Sequence, residues 1–316
     1  MKTRRSFIKL SSSLVLSALL TEPESIFAKD LVKKGPDRKI YIFSKHLQWL
    51  DYEQIAQAVK QVGFDGIDLT VRAGGHVLPE RVKNDLPEAV QMMKNSGMLA
   101  DWMTTAITDP DDPVTIDILE TASKVGINNY RMGWLRYDPK ISIQKNIEQF
   151  NVKLKKFEKL NRDLGLKGAY QNHAGEMAGG PVWDIALMLD GVDLEYVGVR
   201  YDIRHATVEG GTSWPLGMKF LGDRINSFDI KDFIWKEIDG KWQPFNVPIG
   251  EGMVDFHRYF QIINELNISG DFTIHLEYAL GGAESGKSEL SCDSAVVISA
   301  MKHDLNKLKN LIHSDL

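Results

Sequence analysis

The sequence predicts an α/β fold, a single (β/α)8 TIM barrel, and three observations carry that prediction. Short apolar runs alternate with helical patterns eight times, in one register, between Arg38 and Ile312. Such alternation builds a parallel sheet, because each crossover helix returns the chain to begin the next strand in the same direction. Eight units in roughly 280 residues suit a closed barrel better than an open doubly wound sheet. No Gly-x-Gly-x-x-Gly follows the first run, which removes the main signature of a dinucleotide-binding sheet.

The first unit pairs "KIYIFS" (39–44) with a helix over Tyr52 to Val62, whose Ile55, Ala58, Val59 and Val62 share one face. "DGIDLTV" and "LPEAVQMMKNSGM" form the second, with Gly97 as the helix stop. "LADWMTT" and "PVTIDILETASKVGI" form the third. "NYRMGW" opens the fourth, whose long amphipathic helix runs from about Ile143 to Leu164 and stops at Gly165. "LKGAYQN" then precedes "PVWDIALMLDG", and "YVGVRYD" precedes "SWPLGMKFLG". "RINSFDI" leads through a long loop to "FHRYFQIINELNI", and "DFTIHLEY" leads to a final helix near Ser294 to Ile312. No linker divides these units, so residues 29–316 are one barrel domain.

The chain has 316 residues, 43% hydrophobic and 26% charged, which is ordinary globular composition. A net charge of −5 lacks the basic surplus that nucleic-acid binding needs, so a nucleic-acid partner is not expected. The single cysteine, Cys292, excludes an intrachain disulfide and a Cys-based zinc cluster. Residues 1–28 read as an export signal: Arg4 and Arg5 precede Ser-Phe-Ile-Lys and an apolar run, Leu14 to Leu20, that is too short for a membrane span. The paired arginines resemble a twin-arginine signal, which implies the twin-arginine export machinery as a partner, a periplasmic location, and no membrane anchor after cleavage.

In a barrel of this class the chemistry sits at the C-terminal ends of the strands. Read in order, those ends offer His46, then Arg72 and His76, then Trp102 and Thr104, then Arg131 and Trp134. The fifth offers Gln171, Asn172, His173 and Glu176, and the sixth Asp202 and His205. The seventh offers Asp229, Lys231 and Asp232, and the eighth His275 and Glu277. Taken singly, each has a structural explanation: a strand-end Asp caps the next helix, and a lone His is usually a hydrogen-bonded support. Convergence of Asp202, Asp229 and Glu277 from three successive strands is harder to explain that way. Three carboxylates at one mouth repel one another unless cations offset them. A divalent metal is one remedy; Lys231, Arg131 and Arg204 are the other.

"QNHAG", "DIRH", "FDIKD", "VPIGEGMVDF" and "HLEY" occur in that order, and the series resembles the xylose-isomerase-like barrels, the sugar isomerase/epimerase group related in fold to endonuclease IV. The resemblance covers about Arg38 to Ile312 and implies a divalent ion, manganese first and Mg2+, Co2+ or Zn2+ next, held by Glu, Asp, His and Glu. Matched by position, the ligands here are Gln171, Asp202, Asp229 and Glu277, so two of the four depart from the pattern. The resemblance further implies an enediolate mechanism on a carbohydrate, with Glu277 as base. Gln171 cannot be a second base, which leaves His173, His205 or His275, with Lys231 also in the catalytic set. His76, Arg131, Trp134 and His275 are the expected substrate-binding residues, Trp134 stacking on a ring face. Export disfavours a phosphorylated sugar, so the expected function is a periplasmic, metal-dependent isomerase or epimerase of a free sugar or keto-sugar. A lyase acting on 3-keto-glycosides and a non-catalytic sugar-binding barrel are the alternatives, and a homo-oligomer is compatible with either.

Overall fold

Eight parallel strands close on themselves in the computed structural model, which describes residues 38–314. The expected signal, residues 1–28, lies outside the described residues. The barrel strands are β1 (Ile40–Phe43), β2 (Gly66–Val71), β3 (Leu99–Thr105), β4 (Asn129–Arg131), β5 (Lys167–Gln171), β6 (Val197–Asp202), β7 (Ile225–Ile230) and β10 (Asp271–Ile274). Closure is made by β1 pairing with β2 on one side and with β10 on the other, Ile42 facing Ile67 and Ile274.

The helices between them follow the apolar periodicity. Helix α1 (Tyr52–Val62) starts at a capping box in which Asp51 accepts from the Gln54 amide and Gln54 accepts from the Asp51 amide, satisfying two orphan donors. It ends at Gly63 with φ +99°, a left-handed position that favours glycine. Helices α2 (Val82–Asn95), α3 (Pro113–Val125), α4 (Ile143–Leu164), α5 (Trp183–Met188), α6 (Ile203–Gly210), α7 (Trp214–Leu221), α8 (Phe256–Glu265) and α9 (Ser294–Ser314) complete the set. Among the described residues no helix is long and apolar enough to cross a membrane.

Alternation along the strands separates two cores. Outward residues such as Ile42, Met103, Tyr170, Val199, Phe228 and Ile274 pack against the helices in one large cluster. Tyr41, Trp102 and Ala169 form a separate small cluster, each on the opposite face of its strand. Burial of the large cluster is the main stabilising term, at about 25 cal/mol per Å² of apolar surface removed from water.

Two features beyond the eight-unit pattern matter for the site. The segment after Asp202 is helix α6, and the Asp202 carboxylate caps it by accepting from the His205 amide at 3.0 Å. The long loop after β7 is a hairpin, β8 (Asp232–Ile238) and β9 (Lys241–Val247), paired antiparallel. Its Lys-Glu-Ile-Asp-Gly-Lys tip turns through Asp239 and Gly240, both at positive φ, a local signal that the barrel periodicity obscured. Asp232 holds the base of this hairpin, accepting from the amides of Phe233 (2.8 Å), Gly250 (3.0 Å), Gly252 (3.0 Å) and Val254 (3.1 Å). A Cβ on Gly252 would lie 2.2 Å from the Asp232 carboxylate, so the second glycine of "GEG" is required by close approach.

Candidate active site

Period-two geometry builds the site. Arg200 and Asp202, Asp229 and Lys231, His275 and Glu277, and Ala169 and Gln171 are each two residues apart, so each pair points to the same side of its strand. Because Ile230, Tyr201 and Tyr170 pack outward, these pairs face the barrel interior and stack in layers toward the mouth.

The lower layer is an ion triad. Arg200, wholly buried, donates to Asp68 of β2 at 2.7 Å and to Asp229 of β7 at 2.7 Å, spanning the barrel. Burial acts to lower the Arg200 pKa, but the carboxylates of Asp229 and Asp68 outweigh it and hold the guanidinium charged. Thr104 donates to the same Asp68 oxygen at 2.9 Å, and the guanidinium lies 5.3 Å over the Trp102 ring. Neither Asp68 nor Arg200 stood out in sequence, since both lie below the strand ends. Counting inward by two from Asp202 locates Arg200.

The upper layer centres on Lys231. Its ammonium lies 3.0 Å from Asp202 Oδ2, 3.0 Å from Glu277 Oε2 and 3.0 Å from His205 Nε2, donating hydrogen bonds to the last two and pairing by charge with the first. Burial works against the charge on Lys231, yet Asp202 and Glu277 raise its pKa above the ordinary value. Glu277 is held well below the carboxylate range by Lys231, with Lys45 at 3.1 Å assisting, although burial opposes this. Burial pushes Asp202 up, only partly countered by Lys231. Asp229 is held low by Arg200 and His275 against its burial. His275 Nε2 is 3.0 Å from Asp229 without hydrogen-bond alignment, and its ring stacks on Phe43 at 4.6 Å.

The expected metal set does not fit a divalent cation. Gln171 presents its amide N–H groups, not its carbonyl, to Asp202 and Asp229, because Arg131 donates to the carbonyl oxygen at 2.8 Å. Every oxygen of Asp202, Asp229 and Glu277 already faces an N–H donor or a cation. A dication among them would have to displace the Lys231 ammonium and stand close to Arg200. Among the described residues no three His, Cys, Asp or Glu side chains are arranged to hold a metal ion. The arrangement present does not fit the expected manganese, Mg2+, Co2+ or Zn2+ on Gln171, Asp202, Asp229 and Glu277: an Asp stands where an imidazole is expected, the Gln171 carbonyl is taken by Arg131, and Lys231 and Arg200 balance the carboxylates. Of the alternative cations expected, Lys231 fills that role, whereas Arg204 donates to Asn246 of β9 and Arg131 pairs with Gln171.

Above this layer lies a cleft lined by Phe43, Lys45, Arg72, Arg131, Trp134, Gln171, His173, Lys231, His275 and Glu277. The space open to the centre of a water-sized sphere is about 60 Å³, and all empty space out to solvent is about 310 Å³. Arg131 is 3% exposed, and its guanidinium lies 4.3 Å over Trp134. Burial, with Arg72 and Arg200 adding to it, pushes the Arg131 pKa down to about 9.

The histidines divide by role. His173 lines the cleft, and its Nδ1 lies 2.8 Å from the Ala174 carbonyl, which assigns the proton to Nδ1 and leaves Nε2 with a free lone pair. Burial and then Lys231 push its pKa down to about 4, so the imidazole is neutral at pH 7. His205 lies behind it, ring centroids 4.0 Å apart, 4% exposed, between Arg204 at 3.1 Å and Lys231, and it does not line the cleft. His76 corrects an expectation. It lies away from this cleft, with Nδ1 near Ser44 and Thr70 at 3.1 Å and Nε2 near the Leu47 carbonyl at 3.1 Å, so it fastens the first two strand ends together.

Barrel closure, mouth layering and sequence together place the chain in a family. The xylose isomerase-like TIM barrel family matches residues 56–290, and the chain belongs to it. Solved structures share the fold at low identity. A D-psicose 3-epimerase from Clostridium cellulolyticum, determined with D-tagatose, is 13% identical with a TM-score of 0.65, over 87% of this chain and 99% of that one. The IolI protein with a bound zinc atom is 14% identical with a TM-score of 0.68, over 88% and 99%. A 3-keto-D-glucoside 4-epimerase from E. coli is 15% identical with a TM-score of 0.62, over 86% and 99%. No curated protein matches the chain.

Proposed function

We propose that the chain is a carbohydrate isomerase or epimerase that moves a proton on the carbon beside a sugar carbonyl, with side chains alone as acid, base and electrostatic support. The observation that carries this reading is the pairing, across one cleft, of an ionised carboxylate, Glu277, with a neutral imidazole, His173. Deprotonating a carbon beside a carbonyl places negative charge on oxygen, and that charge needs fixed positive groups nearby. Lys231 and Lys45 flank Glu277 and supply them. Glu277 is the base at carbon, His173 accepts the proton of a neighbouring sugar hydroxyl through its unprotonated Nε2, and Trp134, edge-on to His173 at 4.6 Å, offers an apolar face to a sugar ring. His205 acts through Lys231 and is a positioning residue.

Carbohydrate chemistry is also named for several fold neighbours, among them the D-psicose and 3-keto-D-glucoside epimerases, which supports this reading. One further outcome lies on the same path: elimination, in which Glu277 takes the proton from the carbon beside the carbonyl and, as the acid so formed, delivers it to the oxygen departing from the next carbon. Location in the periplasm is part of the proposal and rests on Arg4, Arg5 and the short apolar run alone. The test is proton exchange from D2O into keto-sugars and 3-keto-glycosides, followed by NMR. Wild type is expected to exchange the proton beside the carbonyl and Glu277→Gln to lose at least about a thousandfold in rate. Full exchange by Glu277→Gln would sink the assignment of the base. Two fragments in place of one isomer would select elimination.

A further inference from the structure

The cleft carries more positive charge than its own carboxylates balance. Facing it are Lys45, Arg72, Arg131 and Lys231, against one carboxylate, Glu277. Including the buried layer beneath, Asp68, Asp202, Asp229 and Glu277 meet Lys45, Arg72, Arg131, Arg200 and Lys231, four negative charges against five positive. The excess is localised. Lys45, Lys231 and Arg200 each have a carboxylate partner at 3.1 Å or less. Arg131 does not: its two terminal nitrogens donate to neutral oxygens, the Gln171 amide at 2.8 Å and the Thr105 carbonyl at 3.1 Å, and its Nε is buried with no acceptor. Arg72, half-buried just past the end of β2 with β3 between it and β4, faces Phe43 at 5.5 Å and, among the described residues, has no ion-pair partner. A buried guanidinium without a counter-charge is costly, and a second cation beside it raises the cost. Such a pair persists where a ligand supplies the missing charge.

We propose that Arg72 and Arg131 form an anion subsite and that the substrate is a sugar acid whose carboxylate docks there, with its carbonyl carbon at Glu277 and His173. This rests on the carbohydrate reading above and names the class of carbohydrate. The carboxylate is favoured over a phosphate by the backbone. Barrels of this class bind phosphate with the amides of the loops after the last two strands. Here the amides of Gly250, Gly252 and Val254 are given to Asp232, and those of Leu280 and Gly282 to Glu284 at 2.9 Å. What remains is planar guanidinium chemistry, which suits a planar carboxylate.

The test compares three keto-sugars that differ only at C6, D-fructose, D-fructuronate and D-fructose 6-phosphate, by titration calorimetry on the intact protein. Fructuronate is expected to bind at least about tenfold more tightly than fructose, a preference that weakens as salt is raised. Arg72→Gln, which breaks no internal bond, is expected to cut that preference about tenfold, and Arg131→Gln is expected to abolish it. Equal binding of fructose and fructuronate, or an unchanged preference in Arg72→Gln, overturns the proposal, as does binding of none of the three. Tighter binding of the 6-phosphate overturns it in favour of phosphate. Running D2O exchange on the same samples separates the two proposals. Preference for fructuronate without exchange sinks the isomerase reading and keeps the anion subsite; exchange on fructose without preference does the reverse.

Discussion

The two halves of the barrel mouth solve the problem of buried charge in opposite ways. On the side of β6, β7 and β10 the carboxylates of Asp202, Asp229 and Glu277 are all matched, by Lys231, Arg200 and Lys45. On the side of β2 and β4, Arg72 and Arg131 form no ion pair among the described residues, and the hydrogen bonds of Arg131 go to neutral oxygens. The first half is complete within the chain, and the second is completed by something that binds. Stability belongs to one and recognition to the other, so substitutions in the two halves have different signatures.

The sharpest way to break that contrast is to remove a central cation. Arg200→Met leaves Asp68 and Asp229 without their shared cation inside the barrel, with a loss of about 3–5 kcal/mol expected in urea unfolding. If Arg200→Met unfolds like the wild type, the matched half is not held by its ion pairs. A buried carboxylate with no cation serves as the control. Asp304 of α9 accepts from the Tyr278 hydroxyl at 3.2 Å, and burial, only partly countered by Tyr278 and the Ile249 backbone, pushes its pKa up to about 7 from an ordinary 3.8. Because the folded pKa lies above the unfolded one, the protonated acid favours the fold. That contribution is full below about pH 4 and disappears as pH rises to 7. Asp304→Asn is thus expected to gain about 2–4 kcal/mol over wild type at pH 8 and little at pH 4. A constant difference across that range would show that Asp304 is not held neutral.

Metal removal probes the matched half more gently. Chelation with EDTA is expected to leave the melting temperature and the D2O exchange rate unchanged, and added manganese to shift neither. A rise of several degrees with manganese would restore the dication to this site. Smallest of all, Arg72→Gln is expected to change stability by no more than about 0.5 kcal/mol, since it breaks no ion pair. A marked loss would place Arg72 in the scaffold rather than in recognition.

Periodicity made the barrel legible. Helices α1 and α4 begin and end where the apolar pattern and the terminal glycines put them, at Tyr52–Val62 and Ile143–Leu164. The mouth residues were legible too, because topology puts polar strand ends in one place. What could not be read was how the charges pair. Asp229 and Lys231 look alike as strand-end polar residues, yet one points to Arg200 below and the other to Asp202 and Glu277 above. That choice depends on side-chain depth within the barrel. The hairpin was hidden for another reason. Trp235, Trp242 and Phe245 are 40%, 67% and 36% exposed, so β8 and β9 lack the buried face that makes a strand periodic.

Asp232 carries a consequence for exchange kinetics. Its two oxygens fasten four amides from both ends of the β8–β9 excursion. Asn246, near the far end of that excursion, donates to the Glu277 carbonyl at 3.2 Å and accepts from Arg204 at 2.9 Å. Local opening of this flap therefore has to release one carboxylate and tug on the segment that carries the base. Deuterium should enter Phe233, Gly250, Gly252 and Val254 together, at one shared rate, and ligand in the cleft should slow all four alike.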